Sequence, residues 1–298
     1  MLEVDDISRS FGSRRVLDGV SFTVGAGRMT GFVGGNGAGK TTTMRIILGV
    51  LSSDSGTVAL DGTRLTPADR ALFGYMPEER GLYPKMKVAE QIVYLGRLHG
   101  MTPQAAKRST DDLLERLGLG ERANETVESL SLGNQQRAQI AAALVHDPEV
   151  LVLDEPFSGL DPMAVETVQA VLTEHAAGGA PVLFSSHQLD IVERLCDDLV
   201  VIAGGTIRAA GSRESLRAEH SEPRYEIELT ADAGWVREVD GVRVVDLDGN
   251  YAQFEVDRGD EGLAAAQAVL TRALASGPVA RFTPLHPTLA QIFKEVVA

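Results

Sequence analysis

The sequence has a single cysteine, Cys196. That excludes an internal disulfide and any all-cysteine metal centre. Cys196 follows His187 in a helical pattern, where an inert, partly buried thiol is expected. Cations are also in short supply. Lys and Arg number 28 against 42 Asp and Glu, giving a formal net charge of −14 and a pI near 4.9. This balance disfavours a broad electrostatic grip on DNA or RNA, so no nucleic-acid partner is expected. No apolar run reaches about 18 residues, and no membrane span is expected. Met1 leads directly into strand-like LEVDDI, without a basic region and apolar core, so no secretion signal is expected either. None of these absences excludes a membrane partner.

The 298 residues are 44% hydrophobic, enough for a sizeable core and about two domains. Val20 to Val24 and Arg28 to Val33 read as strands, the second running into a glycine cluster. Thr41 to Leu51 reads as a helix, with Met44, Ile47 and Leu48 spaced for one buried face. A short strand is expected in GTVALDG, Gly56 to Gly62. From about residue 87 to residue 145 the pattern turns helical, with segments at Val88–Leu98, Pro103–Leu117 and Gln135–Val145. Thr102 and Pro103 form a helix start and Gly118 a stop. The continuous apolar runs VLVL (Val150–Leu153) and PVLFSS (Pro181–Ser186) fit buried strands of a sheet covered on both faces. Together these predict an α/β core over residues 1–215 with a helical insertion. After a break in GSRESLRAEHSEP, residues 221–298 predict a small α+β domain. It contains YEIEL, a VRVVDL/YAQFEV hairpin turning at DGN, a helix at Glu261–Ala275 and a last helix at Leu289–Val297.

GGNGAGKT, Gly34 to Thr41, matches the phosphate-loop pattern G-x-x-x-x-G-K-[ST] and stands between a predicted strand and a predicted helix. Its glycines let backbone N–H groups turn toward phosphate oxygens, and the helix start adds further donors. Lys40 can reach β- and γ-phosphates, Thr41 can place its hydroxyl on Mg²⁺, and Thr42 is a second donor candidate. Asp154 ends an apolar strand in VLVLDEP, where a carboxylate can hold Mg²⁺. Glu155 follows it and can face an attacking water. His187 ends the PVLFSS strand, where ligands of such sheets sit. There it can donate to a γ-phosphate oxygen, or it can be structural. ESLSLGNQQRAQ, Glu128 to Gln139, is a second anion-binding candidate. Its other reading is a helix cap supplied by Ser131 or Asn134.

In this order and spacing, the motifs of residues 1 to about 215 resemble the ATP-binding subunit of ATP-binding cassette (ABC) transporters. GGNGAGKTT resembles Walker A, VLVLDEP Walker B, FSGLD the D-loop, and LSLGN the signature usually written LSGGQ. His187 resembles the switch histidine. The resemblance implies a P-loop NTPase core that binds ATP and Mg²⁺. It implies nucleotide contacts from Phe11 under the base and from Gly34, Asn36, Gly37, Gly39, Lys40, Thr41 and Thr42. Thr41, Glu78 and Asp154 are implied for the metal, and Glu155, His187 and Lys40 for hydrolysis. Two subunits, identical or paralogous, are implied to meet head to tail, so that Ser131, Gly133 and Asp161 serve the partner's ATP.

Two positions depart from the family pattern. Leu132 replaces the second-position glycine of the signature, with Asn134 in place of its glutamine. Glu78 replaces the glutamine of the Q-loop. The form PEERGLYP around Glu78 resembles ABC-2-type exporter ATPases of sodium or drug efflux, a subgroup with a small C-terminal domain. The implied function is an ATPase that powers a separate integral-membrane permease from the cytoplasmic face of the cell membrane. The alternatives are a soluble ATPase of the same fold and a nucleotide-gated regulatory or scaffold module.

Overall fold

A computed structural model describes residues 1–79, 81–219, 223–285 and 293. The chain divides into two compact units, Met1–Arg213 and Glu214–Ala298.

The first unit opens with the antiparallel strands β1 (Leu2–Phe11) and β2 (Arg14–Val24). Strand β3 (Met29–Val33) is buried along its whole length and runs through the glycine loop into helix α1 (Lys40–Ile47). The helix expected to reach Leu51 stops at Ile47, because Gly49 takes a positive φ of 70° and reverses the chain. Strands β4 (Ser55–Leu60) and β5 (Thr63–Arg64) complete a four-stranded sheet of order β2-β1-β4-β5.

Strand β6 (Phe73–Met76) begins the second half of the main sheet. Helices α2 (Val88–Leu98), α3 (Pro103–Arg116) and α4 (Leu132–Leu144) form the helical insertion. Thr102 Oγ1 accepts from Ala105 N at 3.2 Å at the start of α3, one turn of cap chemistry that the Thr-Pro pair announces. Helix α4 begins at Leu132 rather than Gln135 because Ser131 is its N-cap. The chain then returns to the sheet through β7 (Val150–Leu153), α5 (Pro162–Ala177), β8 (Val182–Ser186), α6 (Leu189–Leu195), β9 (Asp198–Ala203) and β10 (Thr206–Ser212).

The main sheet has the order β10-β9-β3-β8-β7-β6. Its strands are parallel except β10, which pairs antiparallel with β9 at one edge. Val33 lies opposite Ser186, and Met76 opposite Leu153. The carboxyl ends of β3, β6, β7 and β8 therefore open onto one crevice, the place where open α/β sheets take ligands. Phe32, Val152, Leu183 and Val200 of this sheet share an apolar cluster with Leu2, Val4, Leu17 and Phe22 of the antiparallel one. Each such fully buried side chain contributes roughly 2 kcal/mol, and together they lock the two sheets against each other.

Helix α7 (Arg213–Glu219) leads toward the second unit. There, β11 (Arg224–Leu229), β12 (Val242–Asp248), β13 (Tyr251–Val256) and β14 (Val279–Leu285) form an antiparallel sheet of order β12-β13-β11-β14. Helix α8 (Asp260–Ser276) separates β13 from β14, and the turn Gly234–Glu238 separates β11 from β12. This is the split β-α-β-β-α-β arrangement with its first helix reduced to a single 3-10 turn. Ile227, Phe254, Val236, Ala266 and Val269 make its core. On the opposite sheet face, Glu255 is paired with both Arg224 and Arg243. The helix expected over Leu289–Val297 lies outside the described residues apart from Phe293.

Candidate functional site

A cavity of about 780 Å³ lies at the carboxyl edge of the main sheet. It is lined by Phe11, Asn36, Gly37, Gly39, Lys40, Thr41, Thr42, Glu78, Asp154, Glu155 and His187, together with Arg14 and Val16. Eleven side chains or backbone segments singled out from the sequence thus face one space. Gly34 stands behind its wall, where Lys40 Nζ donates to the Gly34 carbonyl at 2.7 Å and to that of Gly35 at 3.4 Å. Lys40 is 9% exposed, and among the described residues its ammonium meets carbonyl dipoles and no carboxylate, a placement suited to an incoming anion.

The loop geometry depends on glycine. A Cβ at Gly34 would lie 2.4 Å from the Ile202 carbonyl oxygen, and Gly39 sits at φ 115° against Leu17. Cβ positions at Gly35 and Gly37 meet nothing within 4 Å. The loop backbone is consequently bare toward the cavity, as close approach of phosphate oxygens requires.

Two carboxylates stand at the end of β7. Asp154 is 1% exposed; its Oδ2 accepts from Thr41 Oγ1 at 2.9 Å and its Oδ1 from Ser185 Oγ at 2.5 Å. The Ser185 hydroxyl also accepts from the Glu155 N–H at 2.9 Å. Glu155 itself takes a left-handed backbone, φ 54°, which costs a non-glycine residue about 1–2 kcal/mol. Its carbonyl accepts from Ser158 N at 3.2 Å and from Gln136 Nε2 at 2.9 Å, and these bonds hold the conformation. The twist sends adjacent carboxylates to different parts of the site. His187 Nδ1 lies 3.0 Å from Glu155 Oε1, so the carboxylate and the imidazole stand within hydrogen-bond reach of each other. Burial and the Asp154 charge push the nearby Tyr75 phenol up from its ordinary value.

The Thr41 hydroxyl and the Asp154 carboxylate are hard oxygen donors, and Glu78 lines the same space. That set fits Mg²⁺, which retains waters and takes one or two carboxylates plus phosphate oxygens.

At the other end, the Arg9 guanidinium covers one face of the Phe11 ring at 5.0 Å, and Phe11 is 47% exposed. One ring face is therefore covered by a cation, while the residue as a whole stays half exposed. Ser131, Gly133 and Asp161 are not part of the cavity wall. Ser131 caps α4 through a long 3.4 Å contact to Asn134 N, and Asp161 caps α5 by accepting from Ala164 N at 2.8 Å. The two caps are neighbours: a Cβ on Gly133 would lie 3.4 Å from the Gly159 carbonyl and 3.5 Å from Leu160. Leu132 between them is 60% exposed.

Sequence reasoning missed Ser185, Gln136 and Arg14. Ser185 had a signal, since an unbroken apolar strand ending in two serines places a hydroxyl beside the neighbouring strand end. Gln136 had none, because its partner Glu155 is distant in sequence, and Arg14 had none, because it belongs to no motif.

Comparison with known proteins gives a consistent picture. Residues 17–158 match the family model described as ABC transporter, and residues 211–297 match that described as ATP-binding protein DrrA1-3-like, C-terminal domain. The chain is 35% identical over 297 residues to the ABC transporter ATP-binding protein YhaQ of Bacillus subtilis (strain 168), covering 100% of this chain and 98% of that one. It is 39% identical over 220 residues to the Nod factor export ATP-binding protein I of Paraburkholderia xenovorans (strain LB400), covering 73% and 72%. Among solved structures, the ATP-binding subunit of an ABC transporter matches with a TM-score of 0.68 at 33% identity, covering 74% of this chain and 92% of that one.

Proposed function

The chain belongs to the ABC transporter ATP-binding proteins, a family of nucleotide-binding ATPases, and from that premise we propose that it drives export as half of a composite ATP site. The reaction is ATP + H₂O → ADP + phosphate. Phe11 stacks the base on its free face, and the bare loop from Gly34 to Thr42 cradles the phosphates. Lys40 exchanges its carbonyl partners for phosphate oxygens. Glu155, held with its partner His187, orients the attacking water and takes up its proton, while His187 donates toward the γ-phosphate. Thr41, Asp154 and Glu78 hold Mg²⁺, which neutralises phosphate charge when bound.

The observation that carries the two-chain reading is the separation of Ser131, Gly133 and Asp161 from this cavity. The α4 start offers N–H donors under a weak 3.4 Å cap, and such an end attracts an anion. Ser131 and Gly133 at that start line no part of their own chain's cavity. A second copy or a paralogue turned head to tail brings it to the open side of the ATP. Among the described residues no helix is long and apolar enough to cross a membrane; in this reading a separate integral-membrane permease carries the transport. The chain acts peripherally, at the cytoplasmic face of that permease. Nod factor export by a 39% identical relative supports the outward direction.

The test is ATP-dependent pairing. Glu155→Gln with ATP and Mg²⁺ is expected to elute as a dimer in size-exclusion chromatography, and Glu155→Gln with Ser131→Arg as a monomer that still binds ATP. Hydrolysis at the full rate by a chain that stays monomeric would overturn the composite site. Failure to co-purify with any permease, despite pairing, would overturn the export role alone.

A further inference from the structure

The hairpin that carries Phe11 also carries three arginines, and two of them are committed. Arg9 pairs with Asp54 at 2.7 Å and covers the Phe11 ring, and Arg15 pairs with Asp18 at 2.8 Å. Arg14 makes no hydrogen bond or ion pair among the described residues, yet it lines the nucleotide cavity. Arg14 is exposed, so its guanidinium can meet an anion entering the cavity without giving up an ion pair.

Its position along the cavity follows from the strand register. Phe11 and Arg14 are direct cross-strand partners across the Gly12–Ser13 turn, so their side chains emerge as neighbours about 5 Å apart at the Cβ atoms. Val16, two residues further along β2, lines the same wall, and its carbonyl lies 3.4 Å from where a Gly39 Cβ would stand. Two residues of strand span about 6.5 Å. Arg14 thus stands between the aromatic that meets the base and the loop that meets the phosphates. Asp154, Glu155 and His187 lie beyond that loop, at the ends of β7 and β8.

The side-chain charge of the cavity favours a second cation. Its wall holds three carboxylates, those of Glu78, Asp154 and Glu155, against the cations of Lys40 and Arg14. Without Arg14, Lys40 would be the one Lys or Arg side chain of the wall to meet a polyphosphate, beside the charge that Mg²⁺ brings to the hydrolytic end. All three carboxylates belong to the hydrolytic end, which leaves the base-proximal end to Arg14.

We infer that Arg14 is a further nucleotide-binding residue, whose guanidinium meets the base-proximal phosphate. The inference rests on the reading of this cavity as the ATP site. One charge-assisted hydrogen bond to phosphate corresponds to a loss of about 10-fold in affinity on removal, and it acts on every nucleotide that carries an α-phosphate.

The experiment is competition of ATP, ADP, AMP and adenosine against a fluorescent ATP analogue. It uses the full chain as wild type, Arg14→Gln and Arg14→Lys, with melting temperatures as the control for folding. The expected result is a loss of about 10-fold for ATP, ADP and AMP alike in Arg14→Gln. Adenosine should compete unchanged, and Arg14→Lys should recover part of the loss. Unchanged binding of all four ligands overturns the inference and leaves the ATP site standing. A loss confined to ATP moves Arg14 to the γ-phosphate and overturns the base-proximal assignment. Equal loss of adenosine shows that Arg14 only orders the Phe11 hairpin, which also overturns it. A wild-type chain that binds no adenine nucleotide overturns the ATP-site reading itself.

Discussion

Ser185 ties Asp154 to Glu155: its buried hydroxyl donates to Asp154 Oδ1 at 2.5 Å and accepts from the Glu155 N–H at 2.9 Å. One side chain on β8 thereby fixes the Asp154 carboxylate and the Glu155 backbone just past the end of β7. Ser185→Ala leaves a buried carboxylate oxygen and a buried N–H unpaired, at a cost of about 1–3 kcal/mol for each. The expected result is a fall in kcat of roughly 10- to 100-fold, a smaller change in KM, and partial rescue by Ser185→Thr. Steady-state hydrolysis across a Mg²⁺ titration measures all three. A kcat near that of the wild type would remove Ser185 from this role.

Glu155→Gln preserves size and polarity, and it removes the group that accepts a proton. Since His187 Nδ1 lies 3.0 Å from Glu155 Oε1, the change also deprives the imidazole of its anionic partner. Turnover is expected to drop by about 10²- to 10⁴-fold, with ATP affinity within about two-fold of wild type, read by equilibrium binding beside a turnover assay. Hydrolysis at a normal rate would show that another group handles the proton.

Gly133→Ala separates folding from pairing. Its Cβ would meet the Gly159 carbonyl at 3.4 Å and Leu160 at 3.5 Å, ordinary contact distances. The residue lies inside α4 and has no positive φ, so alanine gains up to about 1 kcal/mol of helix propensity. The variant should melt at or above the wild-type temperature and yet hydrolyse ATP more slowly, because the added methyl stands where the partner's γ-phosphate would come. Full activity would place the γ-phosphate elsewhere.

Much of this was legible before any coordinates. Strand and helix alternation around GGNGAGKT and VLVLDEP follows from apolar periodicity, and hydrophobic burial is what the sheet in fact uses. The short α1 was overestimated, because Gly49 ends a pattern that apolar spacing alone would continue. Strand β6 and the hairpin-like β9–β10 edge went unnoticed among helical segments, since four-residue runs such as FGYM carry little periodicity. Cys196 is fully buried rather than partly so: it is 2% exposed, its thiol donates to the Val192 carbonyl at 2.7 Å, and burial pushes its pKa up to about 12. The Leu132 side chain, which departs from the signature's glycine, is solvent-facing. What no sequence pattern reveals is tertiary hydrogen bonding, as between Gln136 and the Glu155 carbonyl.

A pH test follows from His146. Its ring stacks on His99 at 3.6 Å and its Nε2 lies 3.3 Å from the Phe73 carbonyl. Burial, reinforced by the neighbouring His99, lowers its pKa to about 4, against the opposing Phe73 and Asp147, while His175 adds to the lowering. The native state therefore excludes a proton that the unfolded chain binds below about 6.5. The stability from neutral His146 is complete above that value and is lost as pH falls toward about 4. His146→Gln should flatten the decline in melting temperature between pH 7 and pH 5. It will not abolish it, since burial also lowers the pKa of His175. Parallel curves for the two proteins would show that His146 is not the responsible group.

The hairpin holding Phe11 and Arg14 belongs to one sheet, and the loop holding Lys40 grows from another. A nucleotide spanning that cavity is a removable crossbeam between two panels. Adenosine braces only the first panel and inorganic phosphate only the second, so neither alone should stiffen the joint as ADP does. Protection of the β1–β2 amides from hydrogen exchange would then respond to the length of the ligand as well as to its affinity, and the cassette would sense an intact nucleotide by whether it reaches both walls.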